Sequence, residues 1–168
     1  PGPTSTTQWS PPPHGSYKCN FATFPNLDEN TFGIGFYIRD NLGSFVGART
    51  LRIPGLPPAS IRDVIALMQA IILASKNQYM PILFKSSSSR IESFFLHPNL
   101  KDRTEFSDIM NHCRNKINSC VNFNISFTHK SANLVVANLA KTSKYYANLK
   151  DFAYIPNCIF SLIVNELS

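Results

Sequence analysis

The chain has 168 residues, of which 43% are hydrophobic and 12% are aromatic. This composition supplies enough apolar surface for one domain with a sizeable core, and it excludes a collagen, a coiled coil and an acidic disordered chain. Sixteen Lys and Arg residues against ten Asp and Glu residues give a formal net charge of +6, which favours a polyanionic partner.

The cysteine and hydropathy patterns bear on the cellular compartment. The four cysteines are widely spaced and include no Cys-x-x-Cys pair, which argues against a zinc site and favours reduced, intracellular thiols in the cytoplasm or nucleus. No apolar run approaches the roughly 18 residues that span a bilayer, so we expect no membrane partner. Because the chain does not begin with Met, we expect it to be part of a larger protein.

The first elements in chain order are a Pro-rich lead-in and three strands. Residues 1–15 cannot form a central strand, because proline has no backbone N–H to donate. Alternation and glycine-aromatic composition predict strands at Ser16–Thr23, Thr31–Arg39 and Ser44–Leu51. Asp40–Gly43 has the composition of a hairpin turn between the second and third strands. We therefore predict an antiparallel meander.

The pattern then changes to a helical period. Pro57–Ser60 is typical of a helix start, and apolar residues follow at intervals of three and four, namely Ile61, Ile65, Met68 and Ile72. Other apolar residues fill the remaining faces, so we expect this helix to be deeply buried. Asp63 lies three residues after Ser60, which fits a capping box at the start of the helix.

The second half of the chain alternates between strands and helices. A buried strand is predicted at Met80–Lys85, helices at Ser87–Leu96 and Thr104–Asn118, an alternating strand at Val121–Thr128, and a helix at Ser131–Tyr145. The order β-β-β-α-β-α-α-β-α predicts one α/β domain with a mixed sheet over residues 16–150. Residues 151–168 are then a C-terminal tail that packs on the domain or extends from it.

Four strings of residues in this order resemble those of the RNase H-like fold, most closely the plant retroelement-type branch of reverse transcriptase-associated RNase H. They are the run from Trp9 to Gly15 followed by Lys18–Phe21, the hairpin Gly33–Gly43, the alanine-spaced Ala66–Ala74, and Ala132–Lys141. The resemblance implies a mixed five-stranded sheet whose first three strands form the meander, flanked by helices. It also implies hydrolysis of the RNA strand of an RNA–DNA hybrid by two Mg²⁺ ions held on carboxylates.

The family's four carboxylate positions fall on residues that are mostly neutral here. Carried over one at a time, they fall on Ala22, Asp63, Ser87 and Ala137. Mg²⁺ needs hard anionic oxygen ligands, so we predict no catalytic residues, no metal site and no cofactor. Mg²⁺ would enter only if a rearranged nuclease site used Asp63 with Asp28 or Glu29 from the first hairpin.

Basic residues supply the candidates for nucleic-acid contact, because Lys and Arg bind phosphates. They are Lys85, Arg90, Arg114, Lys116, Lys130, Lys141 and Lys144. Ser86–Ser89 could hold a phosphate at a strand-to-helix junction, or could simply cap the next helix. The alternative for the cations is a solvated basic surface. Cys113 beside His112 is more typical of a packed cysteine than of a nucleophile.

Three functional hypotheses follow from these residues. The first is a catalytically inactive RNase H-like domain of a larger plant protein that acts as a protein-interaction module, for an unidentified partner such as a pathogen protein. The alternative is a domain that binds RNA or an RNA–DNA hybrid without cleaving it. The third is an active Mg²⁺-dependent ribonuclease H, which has the least support because three of the four carboxylate positions hold neutral residues. The oligomeric state stays open.

Overall fold

One seven-stranded mixed sheet organises the chain, which confirms the predicted fold class. The computed structural model describes residues 5–6, 15–97 and 104–167, and it describes side chains for residues 15–97 and 104–163. Most of the predicted lead-in lies outside these residues. The spatial order of the strands is β1-β6-β5-β2-β3-β4-β7. The strands are β1 (Ser5–Thr6), β2 (Tyr17–Asn26), β3 (Thr31–Arg39), β4 (Phe45–Pro54), β5 (Ile82–Ser86), β6 (Phe123–Thr128) and β7 (Leu149–Phe152).

The five central strands are those predicted from the sequence, and the structure adds one short strand at each edge. β1 pairs with β6 and β7 pairs with β4, so the expected five-stranded count is wrong. Helices flank both faces. They are α1 (Ala59–Asn77), α2 (Ser89–Leu96), α3 (Glu105–Ser119), α4 (Leu134–Lys141) and α5 (Asn157–Leu167).

The predicted meander is confirmed in β2, β3 and β4, which pair antiparallel in sequence order. Its second turn forms as the sequence indicates. The Asp40 carboxylate accepts hydrogen bonds from the backbone N–H groups of Leu42 and Ser44, at 2.9 Å each. Gly43 adopts φ +79°, a left-handed conformation that glycine adopts without steric cost. Local turn chemistry therefore fixes the register of this hairpin.

Helix α1 has its buried residues between Ile61 and Ala74 and begins at Ala59, within the predicted start Pro57–Ser60, but the predicted capping box is absent. Its N-cap is Pro58, which makes no side-chain cap hydrogen bond, so the capping box between Ser60 and Asp63 is not formed. The reason is tertiary: Asp63 lies one turn inside the helix and accepts a hydrogen bond from β2 instead. Ile72 is 39% exposed, so the buried face is centred on Val64, Leu67 and the alanines rather than on Ile72.

Two apolar layers sandwich the sheet. The larger joins one face to α1, α2 and α3, and the smaller joins the opposite face to α4 and α5. Gly33 and Gly35 of β3 lie directly under α4, and a Cβ at Gly33 would meet the Ala140 carbonyl oxygen and the Ser143 hydroxyl. The absence of side chains at these glycines therefore lets α4 pack close to the centre of the sheet.

The end of the chain differs most from the prediction. The helix expected over Ser131–Tyr145 is an α-helix only in α4, with a 3₁₀ turn before it and another after it. Thr142 lies at the change and donates its hydroxyl to the Leu139 carbonyl, a local bond that competes with helix continuation. In the tail, β7 extends the sheet and α5 buries Ile159 and Ile163 against α4.

Candidate functional site

A cleft of about 570 Å³ opens where β2 and β5 meet three helix starts. Its walls come from the middle of β2, the first turns of α1, the serine-rich junction between β5 and α2, and the start of α4. Because β2 and β5 pair in parallel, their carboxyl-terminal ends lie at the same end of the sheet. Elements far apart in sequence thus contribute to one concave surface, the usual form of a ligand site.

The four positions onto which the resemblance carries the family's carboxylates all line this cleft. Ala22 comes from β2, Asp63 from α1, Ser87 from the residues after β5, and Ala137 from α4. The sequence comparison placed these positions one at a time, and the fold brings them together. Three of the four side chains have no carboxylate. Asp63 is the single acidic residue among the described residues that line the cleft.

The Asp63 carboxylate is held by hydroxyl groups. Thr23 on β2 donates its hydroxyl to Asp63 Oδ1 at 3.0 Å. Burial raises the pKa of the Asp63 carboxyl, and hydrogen bonds from Thr23 and Ser88, followed by the charges of Arg62 and Lys130, oppose that rise. Because the desolvation cost is the largest effect, ionised Asp63 is less stable here than in water.

Asn133 connects the walls of the cleft. It is 2% exposed, and its Nδ2 donates to the Phe21 carbonyl at 2.9 Å and to the Ser87 hydroxyl at 3.2 Å. Its Oδ1 accepts a hydrogen bond from Asn20 Nδ2 at 2.9 Å. These contacts join β2, the end of β5 and the start of α4. The sequence analysis named Asn133 only as part of the family-like segment Ala132–Lys141 and did not predict that it joins the walls of the cleft. Its position in that segment was the one sequence signal for this role.

The serine cluster serves mainly as local structure. Ser88 is the N-cap of α2 and accepts a hydrogen bond from the backbone N–H of Ile91 at 3.3 Å. Ser86 Oγ accepts a hydrogen bond from the backbone N–H of Ser88 at 3.1 Å. The capping interpretation is therefore confirmed for Ser88. A phosphate site at Ser86–Ser89 stays a prediction.

Among the described residues, three cationic side chains line the cleft: Arg62, Arg90 and Lys130. Arg90 and Lys130 are among the sequence candidates. Arg62 is not, because a half-buried arginine in the first turn of an apolar helix has no distinguishing pattern. Arg62 donates to the Pro57 carbonyl at 2.7 Å, and Arg90 lies 4.9 Å from the centre of the Phe106 ring. Lys130 is exposed.

The other basic candidates lie outside the cleft. Arg114 and Lys116 are on α3, which packs on the sheet face opposite α4. Lys141 borders a neighbouring groove between α4 and α5, 5.7 Å from the Phe24 ring, and Lys144 lies against Tyr145. Lys85 is 4% exposed within the sheet, where burial lowers the pKa of its ammonium group. The structure thus brings together only part of the predicted basic set.

The remaining reactive candidates are also separate from the cleft. Glu29 lies 3.6 Å from Arg52 at the end of the first hairpin, and the adjacent Asp28 is exposed. Neither residue lines the cleft with Asp63. Cys113 is buried, and burial raises the pKa of its thiol to about 12, which suits a packed cysteine rather than a nucleophile.

The cleft does not fit a pair of Mg²⁺ ions. Such a pair needs several carboxylate oxygens, and Asp63 supplies the only carboxylate on the described walls, beside Arg62 and Lys130. Within residues 15–97 and 104–163, no three His, Cys, Asp or Glu side chains come together as a metal site would require. The donor set therefore disagrees with the chemistry that the family resemblance implies.

Comparison with known families gives the relationship of this chain. A sequence model of the reverse transcriptase-like family matches residues 20–143. The matched segment includes the four positions considered above, namely Ala22, Asp63, Ser87 and Ala137. The chain belongs to the reverse transcriptase-like family. A search of curated proteins found no match to this domain. Among the described helices of this domain, none is long and apolar enough to cross a membrane.

Solved structures similar to this reverse transcriptase-like domain include ribonucleases H and viral reverse transcriptases. RNase H1 from the archaeon Halobacterium salinarum superposes with a TM-score of 0.68 at 14% identity, over 78% of this chain and 98% of that chain. LC11-RNase H1, solved in complex with an RNA/DNA hybrid, gives 0.56 at 16% identity, over 75% and 94%. The prototype foamy virus protease–reverse transcriptase gives 0.52 at 17% identity, over 85% of this chain and 23% of that one. These similarities establish an RNase H-like fold.

Proposed function

We propose that this domain is a catalytically inactive RNase H-like module that binds RNA–DNA hybrid or RNA in the cleft without cleaving it. The observation that supports the proposal is the cleft itself, where the four carboxylate positions converge and a single carboxylate is left among cations. Two-metal hydrolysis needs several anionic ligands, which the described walls of the cleft lack. Phosphate binding needs cations, which they have.

The structure favours nucleic acid over a protein partner at this surface. Arg62, Arg90 and Lys130 face a cavity rather than a flat surface, and LC11-RNase H1, which has the same fold, is known in complex with an RNA/DNA hybrid. A-form duplexes and hybrids are recognised mainly through phosphates and sugar hydroxyls. The cleft offers partners for both groups, because hydroxyls of Thr23 and Ser60 line it beside the cations.

The test is binding and cleavage of one labelled hybrid in the same samples. We expect the domain to bind a fluorescent RNA–DNA hybrid with an affinity that falls steeply as the salt concentration rises. We also expect the RNA strand to stay intact in Mg²⁺ and in Mn²⁺. A single-stranded DNA of the same sequence serves as the comparison ligand.

Two results would contradict the proposal in different ways. Metal-dependent cleavage that is lost in Asp63→Asn would show that the residual carboxylate supports a nuclease. Absence of hybrid and RNA binding at low salt would remove the nucleic-acid function. A matched Asp108→Asn variant on α3, away from the cleft, controls for a general loss of negative charge.

A protein partner is the second candidate function, and one feature favours it. The groove beside the cleft, between α4 and α5, is lined by Phe24, Leu134 and Leu162, and Leu134 is 50% exposed. The protein-interaction role and the plant origin stay predictions. Tight hybrid binding, together with the absence of a stoichiometric protein complex of the full chain, would reject the protein-partner role.

A further inference from the structure

The electrostatic character of the cleft is opposite to that of a two-metal site. Among the residues described, its walls carry Arg62, Arg90 and Lys130 against Asp63 alone. Resting on the nucleic-acid function proposed above, we propose that the Arg62 guanidinium and the Lys130 ammonium hold nucleic-acid phosphates directly, so that binding needs no divalent metal ion. Fixed cations of the protein take the place that metal ions have in a carboxylate-rich site.

Arg62 and Lys130 are placed to act on one anionic group. Both line the cleft together with Asp63, and the charge of each opposes the rise in the pKa of the Asp63 carboxyl. The Arg62 guanidinium also donates a hydrogen bond to the Pro57 carbonyl. Asp63 is half-buried and accepts hydrogen bonds from two hydroxyl groups, whereas Lys130 is exposed. A phosphate that enters from solvent would therefore meet the Lys130 ammonium directly and the Arg62 guanidinium deeper in the cleft.

The backbone strengthens the positive potential. The first turns of α1, α2 and α4 all border the cleft, and a helix N-terminus carries a partial positive charge. Cations are unfavourable at helix N-termini. Glu92 lies in the first turn of α2, whereas no acidic residue lies in the first turn of α1 or α4. A bound anion is therefore favourable beside the N-termini of α1 and α4.

The volume of the cleft agrees with a segment of nucleic-acid backbone. About 570 Å³ lies in the range of small-molecule sites and accommodates a phosphate with its attached sugar. The apolar groove with Phe24 and Lys141 adjoins it through Leu134 and Ala137, which line both cavities. A chain held by its phosphate in the cleft could therefore continue along α4.

The experiment measures hybrid binding with and without a divalent metal, in matched variants. The labelled RNA–DNA hybrid is titrated with the protein at several salt concentrations, once in excess EDTA and once in Mg²⁺. We expect the affinity in EDTA to equal or exceed that in Mg²⁺. Lys130→Gln is expected to weaken binding about fivefold or more and to reduce the salt slope by about one.

Two further variants separate the proposed contact from general charge effects. Lys76→Gln removes the same charge from the other end of α1, about 20 Å along the helix axis, and should leave the affinity nearly unchanged. Arg62→Gln should weaken binding like Lys130→Gln, with thermal melting to verify the fold. Because Lys130 is exposed, its replacement should not lower the melting temperature, unlike the loss of a structural residue.

The possible failures have distinct meanings. Binding that requires Mg²⁺ would overturn the inference and leave the nucleic-acid function intact. Metal-independent binding that is equally weakened by Lys76→Gln, or unaffected by Lys130→Gln and Arg62→Gln, would also overturn it. Absence of binding in both buffers would overturn the proposed function together with the inference.

Discussion

At the scale of single residues, the ionisation of Asp63 gives a measurable pH dependence. Burial raises its pKa above the ordinary value of 3.8, so the folded chain binds this proton more readily than the unfolded chain. The contribution of Asp63 to the free energy of unfolding therefore decreases as pH rises from about 3.8 through the raised pKa. We expect Asp63→Asn to melt at or above the wild-type temperature at pH 7 and to lose this advantage near pH 4.

The comparison for Asp63 is a series of melting curves for both proteins between pH 4 and pH 8. The asparagine can keep the hydrogen bond from Thr23, since its side-chain oxygen also accepts. A variant that melts several degrees lower at pH 7 would show that the negative charge, rather than the hydrogen bond, stabilises the cleft.

Lys85 gives a second prediction at the residue scale. It is 4% exposed, its neighbours in register are Asn20 and Ser126, and burial lowers its pKa below 10.5. The ammonium is then less stable in the folded chain, and stability rises with pH through the lowered pKa toward 10.5. We expect Lys85→Met to raise the melting temperature at pH 7 by about 2–4 °C, the shift that roughly 1 kcal/mol produces in a domain of this size.

The Lys85→Met variant should also bind the hybrid as wild type does, because the side chain does not line the cleft. A loss of affinity comparable to that of Lys130→Gln would return Lys85 to the nucleic-acid interface where the sequence placed it. The charge of Lys85 was readable in the sequence. Its burial was not, because a basic residue at the end of a strand is usually exposed.

At the scale of elements, the position of α4 depends on the glycines of β3. A Cβ at Gly35 would lie 2.5 Å from the Val136 carbonyl oxygen and 2.7 Å from the Ala140 nitrogen. We expect Gly35→Ala to lower the free energy of unfolding by about 1–3 kcal/mol in a denaturant titration, because the α4 backbone has to move. It should also weaken hybrid binding, since Asn133 and Lys130 move with the start of α4.

Gly47→Ala is the matched control for this packing. A Cβ at Gly47 has Tyr79 Oη as its nearest neighbour at 3.9 Å, an ordinary contact, so stability should change little or increase. Equal destabilisation by the two substitutions would mean that strand conformation, rather than the contact with α4, makes glycine necessary at position 35.

The secondary-structure elements also show which features local sequence patterns predict and which they miss. The hairpin at Asp40–Gly43 and the strand alternation are encoded by neighbouring residues, and the structure has them as predicted. The predicted capping box at Ser60 is not formed, because Asp63 accepts a hydrogen bond from Thr23 on β2. A helical sequence pattern carries no information about a contact with a distant strand. β7 was missed because four mostly exposed residues have no apolar alternation, and pairing with β4 alone makes them a strand.

At the scale of the whole molecule, the arrangement of the cleft predicts that carboxylates at these positions would give a metal-dependent nuclease. The four positions line one surface, so the quadruple variant Ala22→Asp, Asp63→Glu, Ser87→Asp and Ala137→Asp would place four carboxylates together. We expect this variant to bind Mn²⁺ in a calorimetric titration and to cleave the RNA strand of a hybrid slowly. The expectation follows from the need of a two-metal site for converging carboxylates.

The control for the quadruple carboxylate variant carries neutral amides of the same size, namely Ala22→Asn, Asp63→Gln, Ser87→Asn and Ala137→Asn. It should bind no Mn²⁺ and cleave nothing. If the carboxylate variant folds but also binds no metal, then Arg62 and Lys130, rather than the missing ligands, exclude the ions from the cleft.

The amino-acid sequence alone determined the order of the central elements and the identities of the side chains at the four carboxylate positions. Those features depend on local periodicity, turn residues and residue type, which involve only residues that are close together in the sequence. Only the tertiary structure decided that Arg62 and Lys130 line the same cleft as Asp63, that Lys85 is buried and that α3 carries its cations away from the cleft. These features depend on strand register and helix docking, because contacts between distant segments come from the packing of the whole sheet and its two apolar layers.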